Sequence, residues 1–407
     1  LKELRKNLSY RLLEAIFTTA VLLVQNALLA KHLSVQDYGT YSLGMLWSLI
    51  IIILSYGFSI PTLLARELCQ RQEQSRVVSN IFLLQFIISI FILIVFLFSF
   101  LNLEYFRDLN NSGFLLYVTG SLILAAPISM QGILSSKEAM GTICLIKVAA
   151  FSLNLLALFV ILELNLGLSW VFLSHLIMAV VFAYGFYFGS QTKDYLFINE
   201  ININELKYSY RESSFLVLIV LFAQLYSKVD LIMIDMLAGK TEVAIYSSAY
   251  RLFDYLLIIA SALAIAIFPN LMKLAKEPAK FWSLYTNFTK LLVYGLFPIS
   301  CLIAMFSKSI LTLLYGSVYA DGSISLQILM AASCLAFLSA PFASVFIAFK
   351  QQKIYLIATV LALLMNVLGN MLLIPIYSHE GAAISTLITE LTLLLFCFFK
   401  VKQLRQH

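Results

Sequence analysis

Apolar runs of about 20 residues recur along the whole chain, and inside a bilayer a run of that length leaves the backbone one economical solution, an α-helix bonded within itself. A window of about 19 residues separates twelve candidate spans, near 10–31, 41–66, 77–101, 113–135, 142–163, 168–190, 213–237, 244–271, 284–306, 325–349, 354–376 and 381–400. Composition points the same way: 61% of the 407 residues are hydrophobic and 12% charged, against about 45–50% and about 25% in soluble domains. The expected fold class is an all-α polytopic membrane protein.

A net charge of +6 would suit nucleic acid, but the bases stand in short pieces between apolar runs, where they set orientation instead. The termini and the even-to-odd loops carry Lys2, Arg5, Lys6, Arg11, Arg71, Arg76, Lys137, Lys193, Lys207, Arg211, Lys273, Lys276 and Lys280, then Lys350, Lys353, Lys400, Lys402 and Arg405. The opposite loops offer Lys31, Arg107, Lys240 and Lys308. Both termini are therefore expected in the cytoplasm, and no nucleic-acid partner is expected. The five cysteines, among them Cys69, are scattered without a C-x-x-C and read as packing residues. Catalytic chemistry has no foothold. Ala238-Gly239-Lys240-Thr241 is only the tail of a phosphate loop, neither H-E-x-x-H nor G-x-S-x-G occurs, and neither a metal site nor a catalytic set is expected. His175, inside span six, reads as a packed helix residue.

The segment LSVQDYGTYSL, 33–43, follows span one as LAGKTEVAIYSS, 237–248, follows span seven. A shift of 205 superposes Asp37 on Glu242, Tyr41 on Tyr246 and Ser42 on Ser247, and a shift of 214 pairs Pro127 with Pro341 and Gly167 with Gly381. Each half holds an even number of spans, so both enter the membrane in the same sense as parallel repeats. The expected organisation is a six-helix bundle over 1–191, a cytoplasmic linker over 192–212 and a second six-helix bundle over 213–407. The linker, polar and mixed in charge, reads as a solvated helix on the surface.

Charged residues inside spans cost roughly 2.5–3.5 kcal/mol at a helix centre and usually face a partner or a wet cavity. Span seven holds Lys228, Asp230 and Asp235; span eight Arg251 and Asp254; span twelve Glu390; span one Glu14. Lys147 and Lys290, nearer the ends of their spans, are expected to reach for water. Spans seven and eight form an antiparallel hairpin, and equal depth matches Asp230 with Arg251 and Lys228 with Asp254. Lys228 and Asp230 are about 200° apart around their helix, so one pair closes across the hairpin and the other charge looks elsewhere. Two roles stay open: neutral pairs that fix packing, or cavity cations, Lys228 and Arg251, that attract an anionic substrate. The first half has Leu23, Gln25, Leu46 and Leu49 at the matching positions, an asymmetry that favours the second role.

The LSVQDYGTYSL turn, the PTLLARE exit of span two at 61–67 and the hairpin VDLIMIDMLAGKTEVAIYSSAYRL at 229–252 resemble the polysaccharide-transporter branch of the MOP exporter superfamily, above all its Wzx-type O-antigen flippases. The resemblance implies two six-helix bundles in an alternating-access transporter of the bacterial inner membrane. Its substrate would be an undecaprenyl-diphosphate-linked oligosaccharide for lipopolysaccharide or capsule. Its partners would be that glycan, membrane lipids and other polysaccharide-assembly membrane proteins. It would bind no cofactor and carry no enzymatic activity, with an H+ or Na+ gradient as the open question of coupling. Lys228 and Arg251 would be the cavity cations, and Asp230, Asp235, Asp254, Glu390 and Glu14 the candidates for ion coupling or charge pairing. The sister branch, drug/cation antiporters, is the alternative and would rely on the acids.

Overall fold

The computed structural model describes residues 2–56, 64, 67–68, 73–104, 112–195, 197–274 and 277–406; Pro61, most of PTLLARE, Cys69, Arg71, Arg107 and Lys276 lie outside them. Its helices are α1 (Lys2–His32), α2 (Val35–Tyr56), α3 (Gln74–Asn102), α4 (Ser112–Gly120), α5 (Leu122–Ser136), α6 (Met140–Glu163) and α7 (Leu168–Ser190). After two short 3-10 turns come α8 (Ile203–Ala238), α9 (Lys240–Leu274), α10 (Pro278–Met305), α11 (Ser307–Tyr315), α12 (Ser323–Ser339), α13 (Phe342–Ala348) and α14 (Gln352–Gln406).

Among the described residues ten helical stretches are long and apolar enough to cross a membrane. Two departures from regular helix bring this into line with twelve passes. The 55 residues of α14 break at Ser378, whose φ of 51° and ψ of −130° reverse the chain. A second interruption, at Ser121, splits the remaining pass into α4 and α5.

Local chemistry sets the other boundaries. Ser34 opens α2: its hydroxyl accepts the Asp37 N–H at 3.1 Å and donates to the Asp37 carboxylate at 2.7 Å, a cap that satisfies a free helix donor. Gly239, at φ 91°, ends α8 and lets α9 start at the next residue. Pro278 stands in the first turn of α10, where its missing N–H costs nothing.

Packing divides the chain into two compact units, residues 1–21 with 43–221 and residues 22–42 with 222–407. Each has its own core. In the first unit Ile52, Leu134, Ile143, Ala150, Ala179 and Phe186 cluster; in the second Leu271, Phe281, Trp282, Phe346, Leu393 and Cys397 do. The turn 33–34 and the helix ends on either side of it therefore pack with the second unit. Gly39 makes that seat possible, because a Cβ there would stand 2.2 Å from the Lys240 carbonyl oxygen.

The linker is helical and mostly exposed from Ile203 onward, as expected, but the stretch before it is held by α3. Ser79 donates to the Tyr195 carbonyl and accepts the Phe197 N–H, both at 2.9 Å. Asn80 donates to the Glu200 carbonyl at 2.9 Å and accepts the Asn202 N–H at 2.8 Å. Two side chains of α3 thus bind the backbone at Tyr195, Phe197, Glu200 and Asn202, and from Ile203 the chain is already α8.

Gly167 and Gly381, matched in the repeat, both sit at tight turns for different reasons. Gly167 needs its φ of 82°, whereas a Cβ on Gly381 would stand 2.3 Å from the Leu373 carbonyl oxygen. Gly381→Val should therefore pry apart the two halves of α14, at a cost of about 1–3 kcal/mol for overpacking. The expected result is a lower thermal midpoint in detergent, read by tryptophan fluorescence, with no such fall in Gly295→Val, where a Cβ meets nothing within 4 Å.

Candidate functional site

The charged residues of α8 and α9 fall within the second unit. Their sequence supplies long side chains, Lys228, Tyr246, Tyr250 and Arg251, on two helices joined by one glycine, so groups on the flanks of one helix can reach around to the other. Lys228 forms an ion pair with Asp254, and its ammonium lies 4.3 Å from the centre of the Tyr250 ring. That is one of the two depth-matched pairs, and it closes.

The other pair does not. Asp230 is fully buried; it accepts the Leu231 N–H at 2.9 Å and the hydroxyl of Tyr246. Tyr246 also lies 3.3 Å from the Thr386 hydroxyl, which donates to the Ala382 carbonyl at 3.0 Å. Beside this chain, in α14, Asn370 donates to the Asn366 side chain at 2.8 Å and Ser385 donates to the Asn366 carbonyl at 2.9 Å. Asp230 is thus held within the hairpin by a tyrosine rather than by the arginine.

Arg251 turns away toward residues 38–42. Its guanidinium donates to Ser42 Oγ at 3.2 Å and stands 5.6 Å from the ring centres of both Tyr38 and Tyr41. Tyr38 meets Tyr319 edge to face at 5.6 Å, and Tyr319 meets Tyr315 at 5.9 Å. Among the described residues no carboxylate lies within ion-pair distance of Arg251, and its Nε and the buried hydroxyls of Tyr38, Tyr315 and Tyr319 have no hydrogen-bond partner. Cation–π contacts of about 0.5–2 kcal/mol each lower the cost of the charge without cancelling it.

Ser42 and Ser247, superposed by the shift of 205, meet with hydroxyls 3.0 Å apart. Nearby, Asn26 donates to the Tyr255 hydroxyl at 2.9 Å.

The remaining candidates disperse. Asp235 is half-buried in the last turn of α8. Glu390 is buried in the second half of α14, one turn before Leu393 of the second unit's core. Glu14 lies in the first unit, paired with Lys147. Lys147, expected to reach for water, finds that acid within the membrane instead; Lys290 is exposed. His175 is buried, its Nδ1 3.0 Å from the Val171 carbonyl oxygen, as a packed helix residue would be. Sequence reasoning named the charges but missed the tyrosines. Tyr38 and Tyr41, three apart on a helix, were the available signal.

A family model described as polysaccharide biosynthesis protein matches residues 28–324. No curated protein matches the chain in sequence. Among solved structures, the chain is similar to an inward-facing multidrug resistance MATE family transporter of the MOP superfamily, with a TM-score of 0.77 and 17% identity over 98% of this chain and 99% of that one. It is similar also to the lipid II flippase MurJ in an inward closed conformation, with a TM-score of 0.78 and 15% identity over 96% and 86%. A MOP superfamily transporter from Pyrococcus furiosus gives a TM-score of 0.75 and 16% identity over 100% and 96%. The fold is that of the MOP superfamily.

The Ser42–Ser247 contact is directly testable, since hydroxyls 3.0 Å apart put the two side-chain ends close enough to try pairing as cysteines. A Ser42→Cys/Ser247→Cys variant should cross-link in membranes under mild oxidant, giving a compact band on non-reducing gels. Persistent failure to cross-link, with both thiols modifiable, would show that residues 33–42 do not seat on α9.

Proposed function

The chain belongs to the polysaccharide biosynthesis protein family, and on that footing we propose that it is a Wzx-type flippase of the bacterial inner membrane. Its substrate in this reading is an undecaprenyl-diphosphate-linked oligosaccharide, an O-antigen or capsule repeat unit, carried from the cytoplasmic to the periplasmic leaflet by alternating access. Arg251 is the observation that carries the reading. A half-buried guanidinium with no acid beside it is the group that a diphosphate would neutralise, because its planar fork donates two parallel hydrogen bonds to phosphate oxygens. Tyrosine rings around it add faces on which sugars stack. Lys228 fits the role less well, since Asp254 already neutralises it.

Asp230 serves coupling in the same proposal. A buried carboxylate bonded to the Tyr246 hydroxyl, which in turn reaches Thr386, offers oxygens to a proton or to Na+, hard ions that prefer such donors. The antiporter alternative draws on the same feature together with Glu390, a second acid buried in this unit.

Two experiments test these roles. A strain lacking the gene should accumulate the lipid-linked repeat unit facing the cytoplasm. Arg251→Ala should fail to relieve that block while reaching wild-type abundance, and should lower flipping of a fluorescent polyprenyl-diphosphate oligosaccharide in vesicles at least tenfold. Accumulation facing the periplasm, or full relief by Arg251→Ala, overturns the reading. Separately, Lys228→Ala and Asp254→Ala should each lower folded yield by leaving the other charge unpaired, and the double variant should recover most of it. The coupling expected from thermal unfolding is about 0.5–3 kcal/mol.

A further inference from the structure

The ionisable groups that act most strongly on the charge of Arg251 are four tyrosines, Tyr38, Tyr41, Tyr255 and Tyr315, and Tyr319 lies within electrostatic reach of both Tyr38 and Arg251. All of them belong to the second unit. Tyr255 already accepts from Asn26 at 2.9 Å, and Ser42 takes one guanidinium N–H at 3.2 Å. The others are not so provided. Tyr38 turns its oxygen toward the guanidinium without closing a hydrogen bond, and among the described residues the hydroxyls of Tyr38, Tyr315 and Tyr319 and the Nε of Arg251 have no partner. The three phenols are 0%, 1% and 2% exposed. Buried hydroxyls are as a rule hydrogen-bonded, so these around one uncompensated cation mark a place where a ligand completes the bonding.

The chemistry of these groups selects an oxyanion. A guanidinium N–H only donates and a phenol carries one O–H to give, while the charge of the set is that of Arg251, since Lys228 is paired with Asp254. A cation would be repelled here. The rings also stand in different planes, Tyr38 at 84° to Tyr319 and Tyr319 at 56° to Tyr315. Donors spread in this way suit a tetrahedral phosphoryl group, whose oxygens leave any single plane. A carboxylate keeps both oxygens in one plane, where the guanidinium fork alone satisfies them. Arg251 is half-buried and the phenols fully buried, so an anion that reaches the guanidinium has the hydroxyls behind it.

We propose that the hydroxyls of Tyr38, Tyr315 and Tyr319 donate to the same phosphoryl group that Arg251 binds, and are the residues that distinguish a phosphate from a carboxylate. That the phosphoryl group belongs to a lipid-linked diphosphate rests on the flippase reading; the donor set stands on its own geometry. The hydroxyls carry this role and the ring faces do not, so phenylalanine separates it from packing. A Tyr→Phe change keeps the ring contacts and removes a group with no partner in the folded protein, a loss that leaves the fold unharmed.

Binding of a fluorescent polyprenyl diphosphate to the full protein in vesicles, read beside the thermal midpoint, tests the assignment. Tyr38→Phe, Tyr315→Phe and Tyr319→Phe should each weaken binding about threefold, and the triple variant about tenfold or more, with midpoints equal to or above that of the wild type. Unlabelled polyprenyl diphosphate should compete about tenfold better than a polyprenyl carboxylate of the same chain length, and the triple variant should lose most of that preference. Wild-type affinity in the triple variant, a loss of affinity that follows a fall in the midpoint, or equal competition by the carboxylate overturns the proposal. Competition by inorganic pyrophosphate as strong as that by the lipid supports the donor set and makes its ligand a free phosphate, against the flippase reading. Weakened binding with unchanged flipping likewise keeps the donor set and defeats that reading.

Discussion

A positive charge with no acid beside it, set well inside a helix, organises the second unit. Centring such a charge costs roughly 2.5–3.5 kcal/mol, and the residues around Arg251 are those that lower this cost without removing the charge. Ring faces of Tyr38 and Tyr41 and the Ser42 hydroxyl approach it; Asp230, at matching depth, does not. The reason is azimuthal. Arg251 is five residues beyond Tyr246, about 140° around the helix at 100° per residue, and Asp230 is bound to Tyr246. The tyrosine holds the acid on one flank of α9 and the arginine is left on another.

Symmetry of the backbone and asymmetry of the chemistry meet in the same place. Ser42 and Ser247, superposed by the shift of 205, touch within the second unit. Beyond that contact the copies diverge. Where α9 presents Arg251 and Asp254, α2 presents Leu46 and Leu49, and where α8 presents Lys228 and Asp230, α1 presents Leu23 and Gln25. A device needed only to hold helices together would serve both copies equally. The first copy contributes tyrosines to the surroundings of Arg251 instead of charges.

Much of this architecture was legible in the sequence because one-dimensional quantities determine it. Hydropathy marks the passes, and the constant depth relation of a hairpin found the Lys228–Asp254 pair. The same relation gave equal weight to Asp230 with Arg251, because depth carries no azimuth. Choosing between them required Tyr246, whose repeat partner Tyr41 was noticed for its position rather than for its hydroxyl. The surroundings of Arg251 were illegible for another reason. Tyr38, Tyr41 and Ser42 lie more than 200 positions away, and hydropathy states that a residue is within a span without stating what the span touches. Residues 22–42 therefore counted with their sequence neighbours, although they pack with 222–407.

That last point changes what connects the two units. Three helices cross the division without interruption: α1 between 21 and 22, α2 between 42 and 43, and α8 between 221 and 222. The polar stretch that reads as a linker is fastened by Ser79 and Asn80 to α3, and α8 then runs for 36 residues, about 54 Å. Before α8 starts, the backbone at Tyr195, Phe197, Glu200 and Asn202 is bonded to two side chains of α3, all within the first unit. The polar stretch that disqualified 192–212 as a span is thus the one whose backbone is captured by side chains of a neighbouring helix.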